Sequence, residues 1–142
     1  MRRMITTLVT AALIALPVAE ASASAAKKPL KKKVITKKYS VTGPRVQAER
    51  WGPLQVTIVV RKTTTILGTH RTIARRMIGL NTPVYPNHTS RSVLINRKAL
   101  PILRSEALHF QSYNVNAVSG ATFTSEAFVG SLQAAVLKAD HL

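Results

Sequence analysis

The chain has 142 residues, of which 21 are lysine or arginine and only five are aspartate or glutamate, so its formal net charge is +16. It has no cysteine, which excludes disulfides, iron–sulfur clusters, thiolate zinc sites and a cysteine nucleophile. The few carboxylates and the four scattered histidines give neither a metal site nor a pair of catalytic acids, so a two-carboxylate hydrolase is not expected.

The N-terminus has the pattern of a secretory signal peptide over residues 1–25. Arg2 and Arg3 precede an uncharged apolar stretch at 5–19, and small residues follow as A-x-A-like cleavage sites. The apolar stretch is shorter than the roughly 20 residues that span a bilayer, and an uncleaved anchor is the alternative. In either case we expect an extracytoplasmic protein, secreted or attached to the outer face of the cell membrane.

Lysines concentrate in one segment after this leader, because residues 27–38 (KKPLKKKVITKK) hold seven of them. Such a run is typical of a solvated, disordered chain. We therefore predict a lysine-rich disordered tether over residues 26–39 that contacts a membrane surface or cell-wall polyanions. A nucleic-acid-binding arm is the alternative, but nucleic acid is not expected as a partner of an exported protein.

A single domain is expected over residues 40–142, which is long enough for one modest core. Its clearest strand is at 54–60 (LQVTIVV), where β-branched apolar residues alternate. The surrounding pattern predicts a short strand and turn at 40–50, a turn at 51–53, a turn at 61–64, one or two strands within 65–78, and a loop at 81–87.

Helical periodicity appears twice in the second half of the chain. Thr89 or Ser90 can cap a first helix that has Pro101 inside its apolar pattern. A short strand at 113–118 and a tight turn lead to a second helix from about 124 to 138. These elements predict an α+β fold, with a small antiparallel sheet packed against helices.

A hydroxyl group follows a glycine turn at the start of the second helix. Gly120 allows a positive φ and a close approach to the backbone, and Ala121 keeps the surface low. Thr122 follows, and Thr124 or Ser125 is expected to cap the helix. Because the first N–H groups of a helix lack backbone partners and favour an anion, the segment predicts a phosphate site. A plain capped helix start is the alternative interpretation.

Residues 116–139 (NAVSGATFTSEAFVGSLQAAVLKA) resemble the C-terminal end of the FMN-binding domain family. That family includes the flavin-bearing subunits of the sodium-pumping NADH:quinone oxidoreductase and of the Rnf complex, and its small exported actinobacterial members are more similar still. The likeness continues upstream in WGPLQV at 51–56 and in the helix at 95–108. It covers most of residues 41–139 in the same order.

The resemblance implies that FMN is the cofactor and that the domain has the fold of an FMN-binding domain. The cofactor-binding residues it implies are Ser119, Gly120, Ala121, Thr122 and Thr124. In the family, the threonine that closes the S-G-A-T motif, here Thr122, carries FMN through a phosphoester that a separate magnesium-dependent flavin transferase makes from FAD. The transferase motif opens with aspartate three residues before the serine, where this chain has Asn116. A second departure is the basic segment 61–76, where relatives have a glycine turn and acidic residues.

The sequence thus indicates an extracytoplasmic flavoprotein that carries FMN on Thr122 and acts in electron transfer. Its partners would be a flavin transferase and a redox protein that the sequence does not identify, a membrane protein being one option. An electron carrier is expected rather than a free-standing enzyme, because no acid, base or metal cluster appears, and neither a catalytic residue nor a metal ligand is assigned. The alternatives are non-covalent FMN binding and a flavin-free basic module that binds polyanions.

Several other side chains are candidates for contact with the flavin, although packing in the core or a solvated helix face competes as an interpretation for each. The aromatic candidates for stacking on the ring are Trp51, Tyr85, Phe110, Tyr113 and Phe123. The cationic candidates for the phosphate or a ring carbonyl are Arg91, Arg97 and Arg104.

Overall fold

One long strand, β3 (Pro53–Leu67), lies at the centre of the sheet in the computed structural model, which describes residues 28–142. The predicted strand at 54–60 is confirmed as its first half. The alternating side chains Leu54, Val56, Ile58 and Val60 are all buried on the helix-covered face. Period-two alternation of branched residues therefore places the core on one side of this strand.

Three further strands pair with β3 in antiparallel fashion. Strand β1 (Lys32–Thr42) follows it from Thr42↔Thr57 to Lys32↔Leu67, and β2 (Val46–Gln47) pairs with its first residues. Strand β4 (His70–Val84) forms a hairpin with β3. Together with two helices, this sheet confirms the predicted α+β class.

The predicted disordered tether at 26–39 is wrong for most of its length. Residues 32–39 lie in β1, and each is paired with a residue of β3. The prediction was based on the lysine content of the segment. The branched and aromatic residues among the lysines favour a strand when a partner strand is present. The sheet therefore begins at Lys32 rather than at residue 40. The predicted signal peptide at 1–25 lies outside the described residues.

One predicted turn and part of one predicted loop lie within strands instead. Residues 61–64 remain within β3 and pair with both β1 and β4. The chain turns instead at Gly68, where a φ of 62° suits glycine, and at Thr69. Residues 81–84 of the predicted loop belong to β4. The basic, threonine-rich composition of residues 61–67 did not indicate a strand, although these residues pair with β1 on one side and β4 on the other.

The first helix, α1 (Ser90–Phe110), begins where the sequence predicted. Thr89 caps it: its Oγ1 accepts a hydrogen bond from the N–H of Ser92 at 3.0 Å, and its own N–H donates to Ser92 Oγ at 3.1 Å. Pro101 lies on the exposed side and does not end the helix. Residues 113–118 are irregular, so the strand predicted there is wrong. The alternation of polar and apolar residues in this segment corresponds to one buried side chain, that of Val115.

The second helix, α2 (Thr122–Asp140), packs on β3 through the buried residues Phe128 and Leu132. Ser131 fastens it at the centre: its Oγ accepts from the N–H of Val56 at 2.9 Å and donates to the carbonyl of Pro44 at 2.8 Å. The sheet and this helix thereby fix the position of the α2 N-terminus. Within residues 28–142, no helix is both long and apolar enough to cross a membrane.

Candidate functional site

The α2 N-terminus follows the tight turn that the sequence predicted. Gly120 has a φ of 78°, and a β-carbon placed there would meet no atom within 4 Å. Glycine is therefore needed for the backbone conformation, while the space beside it is open to a ligand. The turn is closed by a hydrogen bond from the N–H of Ala121 to the carbonyl of Val118 at 2.9 Å.

Thr122 is the first residue of α2 and its side chain is exposed. The N-cap residue is Ala121, and no side chain within residues 28–142 caps the helix. The prediction that Thr124 or Ser125 caps the helix is wrong, because Ser125 Oγ donates back to the carbonyl of Ala121 at 2.9 Å. The first-turn N–H groups are thus left available to an anion at the positive end of the helix.

The side chain of Thr124 is buried and links α2 to α1 by a hydrogen bond. Its Oγ1 donates to Oδ1 of Asn96 on α1 at 2.9 Å, and Asn96 Nδ2 donates to the carbonyl of Pro86 at 2.6 Å. Both side chains are buried. Since a buried polar group without a partner is costly, this pair holds the start of α2 at a set place beside α1.

A cleft of about 240 Å³ opens between this helix start, the first turns of α1 and the short 3₁₀ helix at Glu49–Trp51. Its lining comes from all three elements and includes no carboxylate within the described chain. The lining residues are Arg50, Trp51, Arg91, Ser92, Ile95, Asn96, Gly120, Ala121, Thr122, Phe123 and Thr124.

Two arginines make one wall of the cleft cationic. The guanidinium carbon of Arg50 lies 5.4 Å from the centroid of the Trp51 ring, and that of Arg91 lies 6.0 Å from it. Contacts of this kind hold a guanidinium group against an indole ring. Two full positive charges therefore stand at the same cleft as the positive end of the α2 dipole.

The cleft gathers most, but not all, of the residues predicted from the sequence. Of the S-G-A-T motif, Gly120, Ala121 and Thr122 line it, whereas Ser119 is exposed in the turn beside it. The aromatic candidates at the cleft are Trp51 and Phe123, and the cationic candidate is Arg91. Those outside its lining are Tyr85, Phe110, Tyr113, Arg97 and Arg104.

Sequence reasoning missed Arg50 and Asn96. Arg50 could have been found from its position beside Trp51, which the sequence analysis had named as a candidate for contact with the flavin. Asn96 gave no signal of its own, since a polar residue on a helix is usually solvated. Its burial follows from the way α1 and α2 pack.

Comparison with known protein families matches residues 50–137 to the FMN-binding domain, which is more than half of the chain. This chain belongs to the FMN-binding domain family. Its cofactor is FMN, and it is a flavin-binding protein. The match concerns the family as a whole, so the resemblance to particular subgroups stays a prediction. No curated protein matches the chain.

The chemistry of the cleft fits the phosphate end of FMN. Helix N–H groups, two arginines and an exposed threonine hydroxyl are groups that bind phosphate, and open space lies beside Gly120. The cleft is smaller than the roughly 300–1,000 Å³ typical of small-molecule sites, so it suits part of the cofactor rather than all of it. The assignment of FMN to Ser119, Gly120, Ala121, Thr122 and Thr124 stays a prediction.

Proposed function

We propose that this FMN-binding protein works outside the cytoplasm, carries FMN as a phosphoester on Thr122, and takes part in electron transfer. The observation that carries the proposal is the position of Thr122: its side chain is exposed on the first residue of α2 and lines a cleft with Arg50 and Arg91. A phosphate attached at this hydroxyl would lie at the positive end of the helix.

The electrostatics of the cleft support a phosphoester at Thr122. A helix N-terminus stabilises an anion by about 0.3–1 kcal/mol at an exposed site. Arg50 and Arg91 add two cations, and the lining residues include no carboxylate to oppose them. The side chains of Trp51 and Phe123 supply apolar and aromatic surface at the same cleft.

Attachment by a separate flavin transferase is the most economical route, because no group in the cleft can activate Thr122. Its lining residues contain neither a histidine nor a carboxylate that could take the hydroxyl proton. The resemblance implies the reaction: the threonine oxygen forms a bond to the FMN phosphorus of FAD, the pyrophosphate bond breaks and AMP leaves. The proton passes to a base of the transferase.

In this proposal FMN supplies the redox chemistry when bound, and the chain's own residues hold and orient it. Gly120 leaves the approach open, Asn96 fixes Thr124 and with it the helix start, and the arginines retain the phosphate. The residue pattern of 1–25 supports an extracytoplasmic location. The electron donor and acceptor would be other proteins, a membrane protein among them.

The experiment is intact mass spectrometry of the protein made in a host that exports it and contains a flavin transferase. We expect one FMN-sized increment that survives denaturation, and its loss in Thr122→Ala. Thr122→Ser keeps a hydroxyl and is the matched control, in which some modification should remain. An increment that persists in Thr122→Ala would place the bond on another residue and contradict the proposal.

Non-covalent FMN binding is the second candidate, and the substitution at Asn116 favours it because the aspartate of the transferase motif is missing. It predicts a yellow protein of unmodified mass that releases FMN when denatured. The same mass measurement, with absorbance of the filtrate after denaturation, distinguishes the two candidates.

A further inference from the structure

The sheet extends beyond the part that the helices cover. We call this extension the distal arm, formed by residues 30–38, which are the start of β1 and the two residues before it, and by residues 61–76 of the β3–β4 hairpin. Every residue at 70–76 is exposed, in contrast to the buried positions along the first half of β3. The β4 part of the arm is therefore open to solvent, whereas Thr64 is buried and the side chains of Lys62 and Arg75 donate to the carbonyl of Leu142.

All the charged side chains of the distal arm are cationic. Residues 30–38 and 61–76 contain ten lysines and arginines and no aspartate or glutamate. The register aligns these charges in rows across three strands: Lys38, Arg61 and Arg76 form one row, and all three are exposed. Like charges directly opposite each other destabilise a sheet. A negatively charged surface against this row would remove that repulsion.

The end of the arm, its tip at the hairpin turn, also has exposed apolar side chains among its cations. Leu30 is 62% exposed, Val34 52%, Leu67 41% and Ile73 40%. Leu30 lies against the hairpin turn, since a β-carbon on Gly68 would be 3.2 Å from its Cδ2. Cationic and apolar side chains exposed on one element are the combination with which amphipathic segments bind a membrane interface.

We propose that the distal arm docks on an anionic lipid bilayer, with the apolar side chains of its tip in the interface and its basic rows on the headgroups. The charges alone would suit a soluble polyanion equally well, but such a polymer offers nothing to Leu67 and Ile73. The chain also joins the arm at this end: Lys32 pairs with Leu67 beside the turn, and the apolar stretch 5–19 precedes it in sequence. This docking is independent of how FMN is held.

The test is co-sedimentation of the protein, in the form that the expressing cell leaves it, with vesicles of phosphatidylcholine alone or mixed with phosphatidylglycerol. The charge variant combines Lys38→Gln, Arg61→Gln and Arg76→Gln. Its matched control combines Arg45→Gln, Arg97→Gln and Lys98→Gln, which removes the same charge from exposed residues elsewhere. All proteins share the same N-terminus, so differences between them report on the arm.

The charge variant should lose on the order of a hundredfold in affinity for the anionic vesicles, because each cation near such a surface contributes roughly fivefold. The control should lose much less, and added salt should weaken the wild type. Equal losses in the charge variant and its control, or binding that ignores phosphatidylglycerol, would overturn the proposal.

A second pair of variants separates a bilayer from a polymer. Leu67→Thr with Ile73→Thr keeps strand-forming residues at the tip, and Leu94→Gln with Ile102→Gln is the control at exposed positions of α1. The tip variant should bind vesicles about tenfold more weakly yet bind soluble polyphosphate unchanged. Unchanged vesicle binding in the tip variant would overturn the membrane proposal and leave a polyanion-binding arm.

Discussion

Asn116 donates two hydrogen bonds to the same oxygen of Glu106: its Nδ2 lies 2.6 Å from Oε1, and its backbone N lies 3.2 Å from it. The transferase motif has aspartate where this chain has Asn116. A carboxylate there would face Glu106 and be repelled by it. The chain therefore keeps a negative charge near the S-G-A-T turn. It is the carboxylate of Glu106, which is hydrogen-bonded to Asn116, rather than a carboxylate at position 116 itself.

Under the proposed attachment of FMN to Thr122, removing that charge should impair modification of the protein. Glu106→Gln should lower the fraction of protein that carries the covalent FMN mass, because no carboxylate would remain beside Asn116 for the transferase to recognise. Adding Asn116→Asp to Glu106→Gln should restore the fraction, since it returns the charge to the family position. Intact mass after co-expression with the transferase measures both.

Glu126→Gln is the control, because it removes one exposed carboxylate from α2 at a position outside the Asn116–Glu106 pair. Wild-type levels of modification in Glu106→Gln would mean that the transferase does not read this charge. A loss in Glu126→Gln as large as that in Glu106→Gln would point to overall charge instead.

The cationic wall of the cleft gives a prediction for free FMN. In a Thr122→Ala background, which excludes covalent attachment, Arg91→Gln should weaken FMN binding by about fivefold, as expected for loss of about 1 kcal/mol from an exposed charge pair. Arg97→Gln, on the same helix but outside the cleft, should have little effect. Quenching of flavin fluorescence at low and high salt measures the affinity, and the difference between the variants should shrink with salt. Equal affinities at low salt would exclude Arg91 from the phosphate site.

Part of the architecture could be predicted because single residues carry strong local signals. The alternation at 54–60, the cap at Thr89 and the glycine turn at Gly120 each depend on neighbours in sequence, and each is found in the structure. The second helix was expected from about 124, just after Thr122, and the structure begins it at Thr122 itself. Local chemistry thus predicted the glycine turn and the hydroxyl beside the helix start, and the position of the phosphate there stays a prediction.

The rest depends on contacts between residues far apart in sequence. The lysine-rich segment becomes β1 only because β3 offers a partner along its whole length. Thr124 was expected to cap its own helix, but it bonds to Asn96, which lies 28 positions earlier in the chain. Neither the pairing of strands nor the packing of α1 on α2 can be deduced from the pattern of one segment.

The buried bond between Thr124 and Asn96 should contribute measurably to stability. Thr124→Val keeps the shape of the side chain but leaves Asn96 Oδ1 without its donor, at a cost of about 1–3 kcal/mol in the free energy of unfolding. Thr122→Val, two residues earlier and exposed, should change it by less than about 0.5 kcal/mol. Urea unfolding followed by circular dichroism compares them, and equal midpoints for the two variants would contradict a structural role for the bond.

The contact between Gly43 and α2 gives the sharpest prediction on stability. A β-carbon at Gly43 would lie 2.1 Å from the carbonyl oxygen of Ser131, an impossible distance, so Gly43→Ala must push α2 away from β3. That shift would also strain the bond from the N–H of Val56 to Ser131 Oγ. We expect a loss of about 1–3 kcal/mol, which lowers Tm by roughly 4–8 °C for each kcal/mol in a domain of this size.

Gly130→Ala, at the neighbouring position on α2, should have the opposite effect. A β-carbon there meets only the methyl groups of Val46 at 3.6 Å, an ordinary contact, and alanine is the better helix former by about 0.8–1 kcal/mol. Thermal unfolding of both variants in one buffer measures the contrast. A Gly43→Ala variant that melts at or above the wild-type temperature would contradict this prediction. The close approach of α2 to the loop before β2 would then not fix the helix. The position of the cleft beside Thr122 would depend instead on the hydrogen bond between Thr124 and Asn96.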